Sequence, residues 1–255
     1  MKNTGEKKKL SSTQVNASGM TTRELSCTLR EIVADGSERI EIHNTCGQRY
    51  IGTGLGAVQL DIYGIPGNDL GAFMDGAEIT VHGNAQDGCG NTMNAGKIII
   101  HGNAGDILGL SARGGKVFVK GNVGYRTGIH MKEYYEQKPV MVIGGTAQDF
   151  FGEYMAGGIL VLLGLNLQEG ERQKANFIGT GMHGGIIYVR GKVEAFQLGK
   201  ELGTADLNEE DYDVLRKIIN EFASYFGDDA QEILKCQFTK LYPLYLRPYG
   251  KLYAY

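Results

Sequence analysis

GAFMDGAEITVHGNAQDGC (71–89), GNTMNAGKIIIHGNAGDIL (90–108) and GLSARGGKVFVKGNVGYRT (109–127) are three consecutive stretches of equal length that repeat one pattern. Each opens on glycine and places Met74, Met93 or Ala112 three residues later. An alternating aliphatic pair follows, Ile79/Val81, Ile98/Ile100 or Val117/Val119, and Gly83, Gly102 or Gly121 closes the run. Repeats of this length mark stacked architectures, in which a unit that cannot bury its own apolar face buries it against its neighbours.

The same frame extends in both directions. The closing glycines are Gly64, Gly83, Gly102, Gly121, Gly144, Gly164 and Gly191, at gaps of 19, 19, 19, 23, 20 and 27. The opening glycines are Gly52, Gly71, Gly90, Gly109, Gly128, Gly152 and Gly179, each followed three residues on by Leu55, Met74, Met93, Ala112, Met131, Met155 or Met182. The remaining aliphatic pairs are Leu60/Ile62, Val140/Val142, Leu160/Leu162 and Ile187/Val189, and Ile40/Ile42 forms a degenerate eighth within Glu38 to Asn44. Alternation with period two is the pattern of a half-buried strand and not of a helix. The residue before each opening glycine is mostly apolar: Ile51, Leu70, Cys89, Leu108, Thr127, Phe151 and Ile178. The expected fold is therefore all-β, a right-handed parallel β-helix of seven coils of about 19 residues, with an N-terminal helix cap and a C-terminal helical extension.

The caps are legible too. Thr21-Thr22-Arg23-Glu24 reads as a capping box, opening a helix with Leu25, Leu29, Ile32 and Val33 on one face and Asp35-Gly36 as its stop. Asn208 to Phe226 reads as an amphipathic helix with Leu215, Ile218, Ile219, Phe222 and Phe226 on one face, and Asp229 starts a second short one. The domain reading is a disordered arm over 1–19, a capping helix and repeat domain over 20–203, and C-terminal helices with a tyrosine-rich tail over 204–255. The outward strand column is polar at Asp61 and Thr80 but apolar at Ile99, Phe118, Met141, Val161 and Tyr188, with Ile143 and Leu163 extending it. A stripe of that size is covered, by the C-terminal helices or by a partner.

Composition narrows the function classes. Of 255 residues 39 are glycine, and the net charge is −3. That charge, with a sequence pI near 6.0, gives no electrostatic case for nucleic acid or an anionic membrane. Gly157 to Leu165 is the longest apolar run and is too short to span a bilayer. The N-terminus carries Lys7, Lys8 and Lys9 and no apolar signal core. Cys27, Cys46, Cys89 and Cys236 are too widely spaced for a Cys-x-x-Cys motif, which fits a reducing cytoplasm.

Several groups invite a chemical reading and are outweighed by a structural one. His82 and His101 share an outward column with His43, Tyr63 and Lys120; a zinc site needs three or four ligands, and a surface ladder is the simpler reading. Asp87, Asp106 and Asp149 share a column with Asn68 and Asn176, which turns accept as readily as aspartate and acid–base chemistry does not. Gly52-Thr53-Gly54-Leu55-Gly56 lies in register with the repeat and lacks the helix of a nucleotide loop. Cys89 falls in the apolar ladder and reads as core.

The stretches Gly47-Gln48-Arg49-Tyr50-Ile51, Pro66 to Ala72, His82 to Asp87, Gly124 to Tyr134 and Gly152 to Gly158 resemble the GXGXG domain at the C-terminus of the glutamate synthase large subunit, in its stand-alone form. The resemblance covers about residues 20 to 255. A related family, with the same coil, occurs among the subunits of formylmethanofuran dehydrogenase. In the glutamate synthase family a cysteine nucleophile hydrolyses glutamine, and ammonia passes to a flavin- and iron–sulfur-bearing domain that makes glutamate from 2-oxoglutarate. None of those residues has a counterpart here. The resemblance thus implies no catalytic, cofactor-binding or metal residue in this chain. It implies a scaffold subunit whose partners, glutaminase and flavin-containing synthase chains, carry FMN and an iron–sulfur cluster. The Tyr242 to Tyr255 tail and the insertions at Lys132 to Lys138 and Asn166 to Ala175 are the candidate partner surfaces.

Overall fold

A computed structural model describes residues 12–168 and 170–245. After β1 (Thr13–Asn16) comes helix α1 (Thr22–Ala34). Eight strands then follow one another: β2 (Arg39–Cys46), β3 (Gln59–Ile65), β4 (Asp75–Val81), β5 (Ala95–Ile100), β6 (Lys116–Val119), β7 (Val140–Ile143), β8 (Ala156–Leu162) and β9 (Gly184–Arg190). The C-terminal part contributes β10 (Leu202–Ala205), α2 (Glu209–Phe226), α3 (Ala230–Lys235) and β11 (Phe238–Pro243). All strands form one 11-stranded sheet in the order β1-β2-β3-β4-β5-β6-β7-β8-β9-β11-β10. From β1 to β9 each strand pairs in parallel with the next, and β11 is antiparallel to both β9 and β10.

This corrects the expected closed β-helix. The molecule is a single, mostly parallel sheet accompanied by helices, an α/β type of fold, because each repeat supplies one strand and no second one. The rest of each repeat turns through left-handed backbone, at Asp69 (φ 61°) and Gly71 (φ 66°) for example. Such residues cannot hold an extended strand. Successive turns are still tied, by one recurring bond: Gly71 N donates to Ile51 O at 2.8 Å, Gly90 N to Leu70 O at 2.8 Å and Gly109 N to Cys89 O at 2.7 Å.

The inner face of the sheet and these turns enclose the main core. Leu60, Ile62, Ile79, Val81, Ile98, Ile100, Val117 and Val119 pack with Ile51, Leu70, Cys89, Leu108, Phe151 and Ile178, and with Met74, Met93, Met131 and Met155. Each buried aliphatic chain contributes roughly 1.5–3 kcal/mol. One strand departs from the expected phase. In β7, Met141 and Ile143 face the core opposite Val117 and Val119, whereas Val140 and Val142 face outward. The closing glycine of that repeat is Gly145, whose N–H bonds Gly121 O, and Gly164 N bonds Gly145 O in turn. The true gaps at this point are therefore 24 and 19 residues rather than 23 and 20. Gly144 has a separate role: a Cβ there would lie 2.3 Å from Lys120 O and 2.9 Å from the Phe222 ring.

Two boundary expectations also change. Thr13–Asn16, inside the expected arm, form β1 and pair with β2, with Val15 buried; residues 1–11 lie outside the described part. β10 crosses the expected boundary at 203/204 and joins the common sheet through β11. The capping box of α1 is present, Thr21 and Glu24 each bonding the other's backbone N–H. Helix α2 begins with a reciprocal Asn208–Asp211 pair and ends on Gly227 in left-handed conformation.

Helix α2 answers what covers the apolar outer stripe. Leu215, Ile218, Ile219 and Phe222 lie on Ile99, Phe118, Val142, Val161, Leu163 and Tyr188, with Ile233 of α3 and Phe238 of β11 closing the layer. Along the helix flank, Glu221 takes Lys97 (3.2 Å) and Lys116, and Asp228 takes Lys120. These pairs are partly solvated and orient the helix more than they stabilise it.

Two outcomes are expected. Phe222→Ala opens a cavity between helix and sheet and should cost about 3–5 kcal/mol in guanidinium unfolding. Gly90 and Gly109 both have positive φ, 70° and 69°, but a Cβ at Gly90 has 3.4 Å to its nearest neighbour, whereas Met141 Cε already fills the space at Gly109. Alanine at Gly90 therefore meets mainly backbone strain, about 1–2 kcal/mol, while alanine at Gly109 adds about 1–3 kcal/mol of overpacking. Thermal melts should rank Gly109→Ala below Gly90→Ala below wild type, and equal melting temperatures for all three would contradict the turn assignment.

Candidate functional site

The histidine column is a stack of rings. His43 and Tyr63 lie 4.7 Å apart at 4°, Tyr63 and His82 4.4 Å at 7°, and His82 and His101 5.5 Å at 13°. Stacked rings expose their nitrogens along parallel edges and do not aim them at a common point. His82 Nε2 pairs with Asp61 Oδ1 at 3.0 Å, and Asp61 also holds Arg39. Phe226 closes the column edge-on to His101 at 5.2 Å. Burial, then the charges of His82 and Lys120, push the His101 pKa down. Among the described residues no three or more His, Cys, Asp or Glu side chains are grouped so as to hold a metal ion.

The aspartate column is turn chemistry. Asp87 Oδ1 accepts from Asp106 N at 2.9 Å, Asp106 Oδ1 from Tyr125 N at 2.8 Å, and Asp149 Oδ1 from Asn176 N at 2.8 Å. A second ladder escaped the sequence reading: Asn84 Oδ1 accepts from Asn103 N (2.8 Å), Asn103 Oδ1 from Asn122 N (2.7 Å), and Asn122 Oδ1 from Thr146 N (2.8 Å). Its signal was the asparagine after each closing glycine, in Gly83-Asn84, Gly102-Asn103 and Gly121-Asn122. These side chains serve as bridges between repeats, which satisfies turn N–H groups that the single strand per repeat leaves over.

All four cysteines are free. Burial, followed by the charges of Asp87 and Asp69, pushes the Cys89 thiol up to about 12. Such a thiol is neither nucleophile nor ligand at neutral pH. Cys236 Sγ accepts from Arg190 Nη2 at 3.0 Å. An iron–sulfur cluster requires convergent thiolates, and the arrangement of these cysteines does not fit one.

A cleft of about 200 Å³ opens between the first turns of α2 and the outer face of β8 and β9. Ile159, Ile186 and Val214 line it with Glu133, Lys138 and a polar network. Asp211, 4% exposed, is the hub. Tyr188 Oη donates to Asp211 Oδ1 at 2.6 Å, and Lys240 Nζ donates to both oxygens at 2.7 and 2.9 Å. Asn208 N donates to Oδ2 at 3.1 Å. Burial raises the Asp211 pKa, but the bonds from Lys240, Tyr188 and Asn208 outweigh it and the net shift is downward. Burial and the Asp211 charge push the Tyr188 hydroxyl up. With its oxygens occupied, the carboxylate joins α2, β9 and β11 rather than presenting a free base.

The two insertions do not share an edge. Residues 132–138 precede β7, where Tyr134 and Gln137 form a small antiparallel bridge and Glu133 Oε1 accepts from Gly158 N at 3.0 Å. Residues 166–175 follow β8, where Gln197 Nε2 donates to Gln173 O and Ala175 O at 2.8 Å each. Because β7 and β8 are parallel, the loops leave from opposite ends of the strands. Of the tyrosine-rich tail, Tyr242 and Pro243 belong to β11, and 246–255 lie outside the described residues.

The Asp211 network gives a pH signature. A carboxylate whose folded pKa is depressed adds stability above its unfolded pKa, near 3.9, and that stability is lost as pH falls through the folded value. Asp211→Asn should lower stability at pH 7 by about 3–5 kcal/mol, because it leaves Lys240 without its partner. The variant should also lose less than wild type between pH 5 and pH 3. Urea titrations at several pH values check both, and parallel pH profiles would rule out the linkage.

A family model described as GXGXG motif matches residues 37–247. An uncharacterised protein of Methanocaldococcus jannaschii is 45% identical over 249 residues, covering 94% of this chain and 95% of that one. A chain in the X-ray crystal structure of the formyltransferase/hydrolase complex (FhcABCD) from Methylorubrum extorquens, in complex with methylofuran, superposes with a TM-score of 0.59 at 18% identity, covering 88% of this chain and 91% of that chain. At that identity the likeness is one of fold. Since the family model spans most of the sheet-forming sequence, the protein belongs to the GXGXG family.

Proposed function

We propose that this chain is a non-catalytic structural subunit of a glutamate synthase-type complex, in which glutamine amide transfer to 2-oxoglutarate is carried by glutaminase and flavin-containing synthase chains. FMN and the iron–sulfur cluster belong to those partners. The observation that carries the reading is the GXGXG match over residues 37–247. It is supported by the use to which the chain puts its polar groups: the Asp87 and Asn84 ladders bridge repeats, and Asp211 anchors three elements.

A second reading is a subunit of a formylmethanofuran dehydrogenase-like or other amidotransferase-type oxidoreductase complex. The superposition on a chain of a formyltransferase/hydrolase complex favours it.

The purified chain alone should neither hydrolyse glutamine nor form glutamate, and it should bind when mixed with the glutaminase and flavin-containing synthase chains. Turnover by the isolated chain would overturn the proposal. Binding to formyltransferase/hydrolase chains in their place would establish the second reading. Replacing Cys27, Cys46 and Cys236 together by Ser should leave the activity of the assembled complex within a few-fold, since Cys236 offers Arg190 only an acceptor that a hydroxyl replaces.

A further inference from the structure

The asparagine ladder keeps a constant frame. Asn103 stands three residues before Asp106, Asn122 three before Tyr125 and Thr146 three before Asp149. Two kinds of bond join neighbouring repeats at each rung. A side-chain oxygen takes the N–H of the next rung, from Asn84 to Asn103, Asn103 to Asn122 and Asn122 to Thr146. The residue after each asparagine donates across as well: Ala85 N to Asn103 O, Ala104 N to Asn122 O and Val123 N to Thr146 O, all at 2.9–3.0 Å. Asp149 Oδ1 accepts from Asn176 N just as Asp87 Oδ1 accepts from Asp106 N. Counted back three residues from Asn176, Gln173 therefore holds the place of the next rung.

At that rung neither bond is made. Asn84, Asn103, Asn122 and Thr146 each follow a closing glycine, whereas Gln173 follows Arg172 at the end of the 166–175 insertion. The Thr146 hydroxyl turns back to Asn122 Oδ1 at 3.1 Å. Gln173 O is taken by Gln197 Nε2 at 2.8 Å and not by Ala147 N. Among the described residues Gln173 N and Ala147 N have no backbone partner, although both residues are buried, at 2% and 0% exposure. The Gln173 carboxamide lies over Gly164, where a Cβ would stand 2.4 Å from Nε2. Its Nε2 and Oε1 are buried and likewise unpartnered among the described residues.

Buried polar groups in native interiors are paired with protein or with ordered water, and a carboxamide left alone there costs folding free energy. We infer that this rung is completed by a bound water molecule, held between Ala147 and Gln173 by their backbone N–H groups and by the Gln173 carboxamide. The balance of donors and acceptors fits water. The N–H groups and Nε2 need an acceptor, Oε1 needs a donor, and water accepts two bonds and gives two. A buried water makes about three such bonds. The direct bonds of the earlier rungs are absent at this one, which is where a bridging molecule has its place. A bridge through water is nearly as favourable as a direct bond. It carries the ladder past the insertion, so the last repeat stays tied to the stack.

A high-resolution crystal structure of the full-length chain should show an ordered water about 2.7–3.2 Å from the Gln173 carboxamide and from Ala147 N or Gln173 N. Thermal melts give an independent reading, and their sign separates the alternatives. Gln173→Met keeps the length of the side chain and removes its amide. With water bound, the variant takes away the partners that hold it and leaves the backbone N–H groups unpaired, so it should melt roughly 2–10 °C below wild type. With no water, the variant relieves a buried unpaired amide and melts at or above the wild-type temperature. That second result, or a wild-type rung without ordered density, would overturn the inference.

Discussion

The backbone bond from each opening glycine to the preceding repeat is the constraint from which the rest follows. Gly71, Gly90, Gly109, Gly128, Gly152 and Gly179 each donate to the residue before the previous opening glycine, at 2.7–2.8 Å. A bond made at every repeat fixes the vertical spacing of the turns to that of the parallel sheet, because both are ladders between the same neighbours. With the spacing fixed, the chain has few ways to reverse between strands. It does so through left-handed residues at constant positions, whatever side chains stand there. Ile107 at φ 50° and Thr92 at φ 52° show how firmly the ladder rules, since β-branched residues resist that region.

A sheet built this way has two faces to cover, and the chain covers them by different means. The inner face is closed by the turns themselves, through Leu70, Cys89, Leu108 and the methionine column. The outer face of the later strands is closed by α2, which the chain brings back across the sheet. Gly144 lets the helix come close: its missing side chain leaves room for the Phe222 ring. The Asp211 carboxylate then locks the start of the helix to Tyr188 on β9 and Lys240 on β11. Phe226, at the other end, packs against His101. The helix is thus held at both ends by contacts to strands distant in sequence.

Much of this was legible because it is periodic. The aliphatic pairs of β2 to β6, β8 and β9, the capping box at Thr21 and the apolar face of α2 all follow from spacing alone. What failed did so where periodicity is ambiguous. Val140-Met141-Val142-Ile143 is apolar at every position, so alternation cannot set its phase, and the paired Gly144-Gly145 offered two closing glycines. The structure resolves the ambiguity by giving one glycine to the ladder and the other to the helix. The closed β-helix was inferred from the repeat length, yet a repeat length does not say how many strands a repeat makes. The left-handed turn residues hold it to one. β1 was missed because its four residues carry only Val15 as an inward apolar group.

The polar columns are bound into the stack by their own repetition. A stacked repeat places identical groups at regular intervals, and such columns mimic the clusters from which active sites are recognised. The distinction lies in saturation. Asp87, Asp106 and Asn103 each spend a side-chain oxygen on the backbone of the next repeat, and the rings of His43, Tyr63 and His82 spend their faces on one another. Groups engaged in this way stabilise the stack and leave little capacity for a ligand. Side chains at the left-handed turns face a different demand. Their backbone is already determined by the ladder, so glycine suffices and anything larger is a choice about the surface. A substitution there changes the surface of the stack while the ladder of backbone bonds keeps its strands in register.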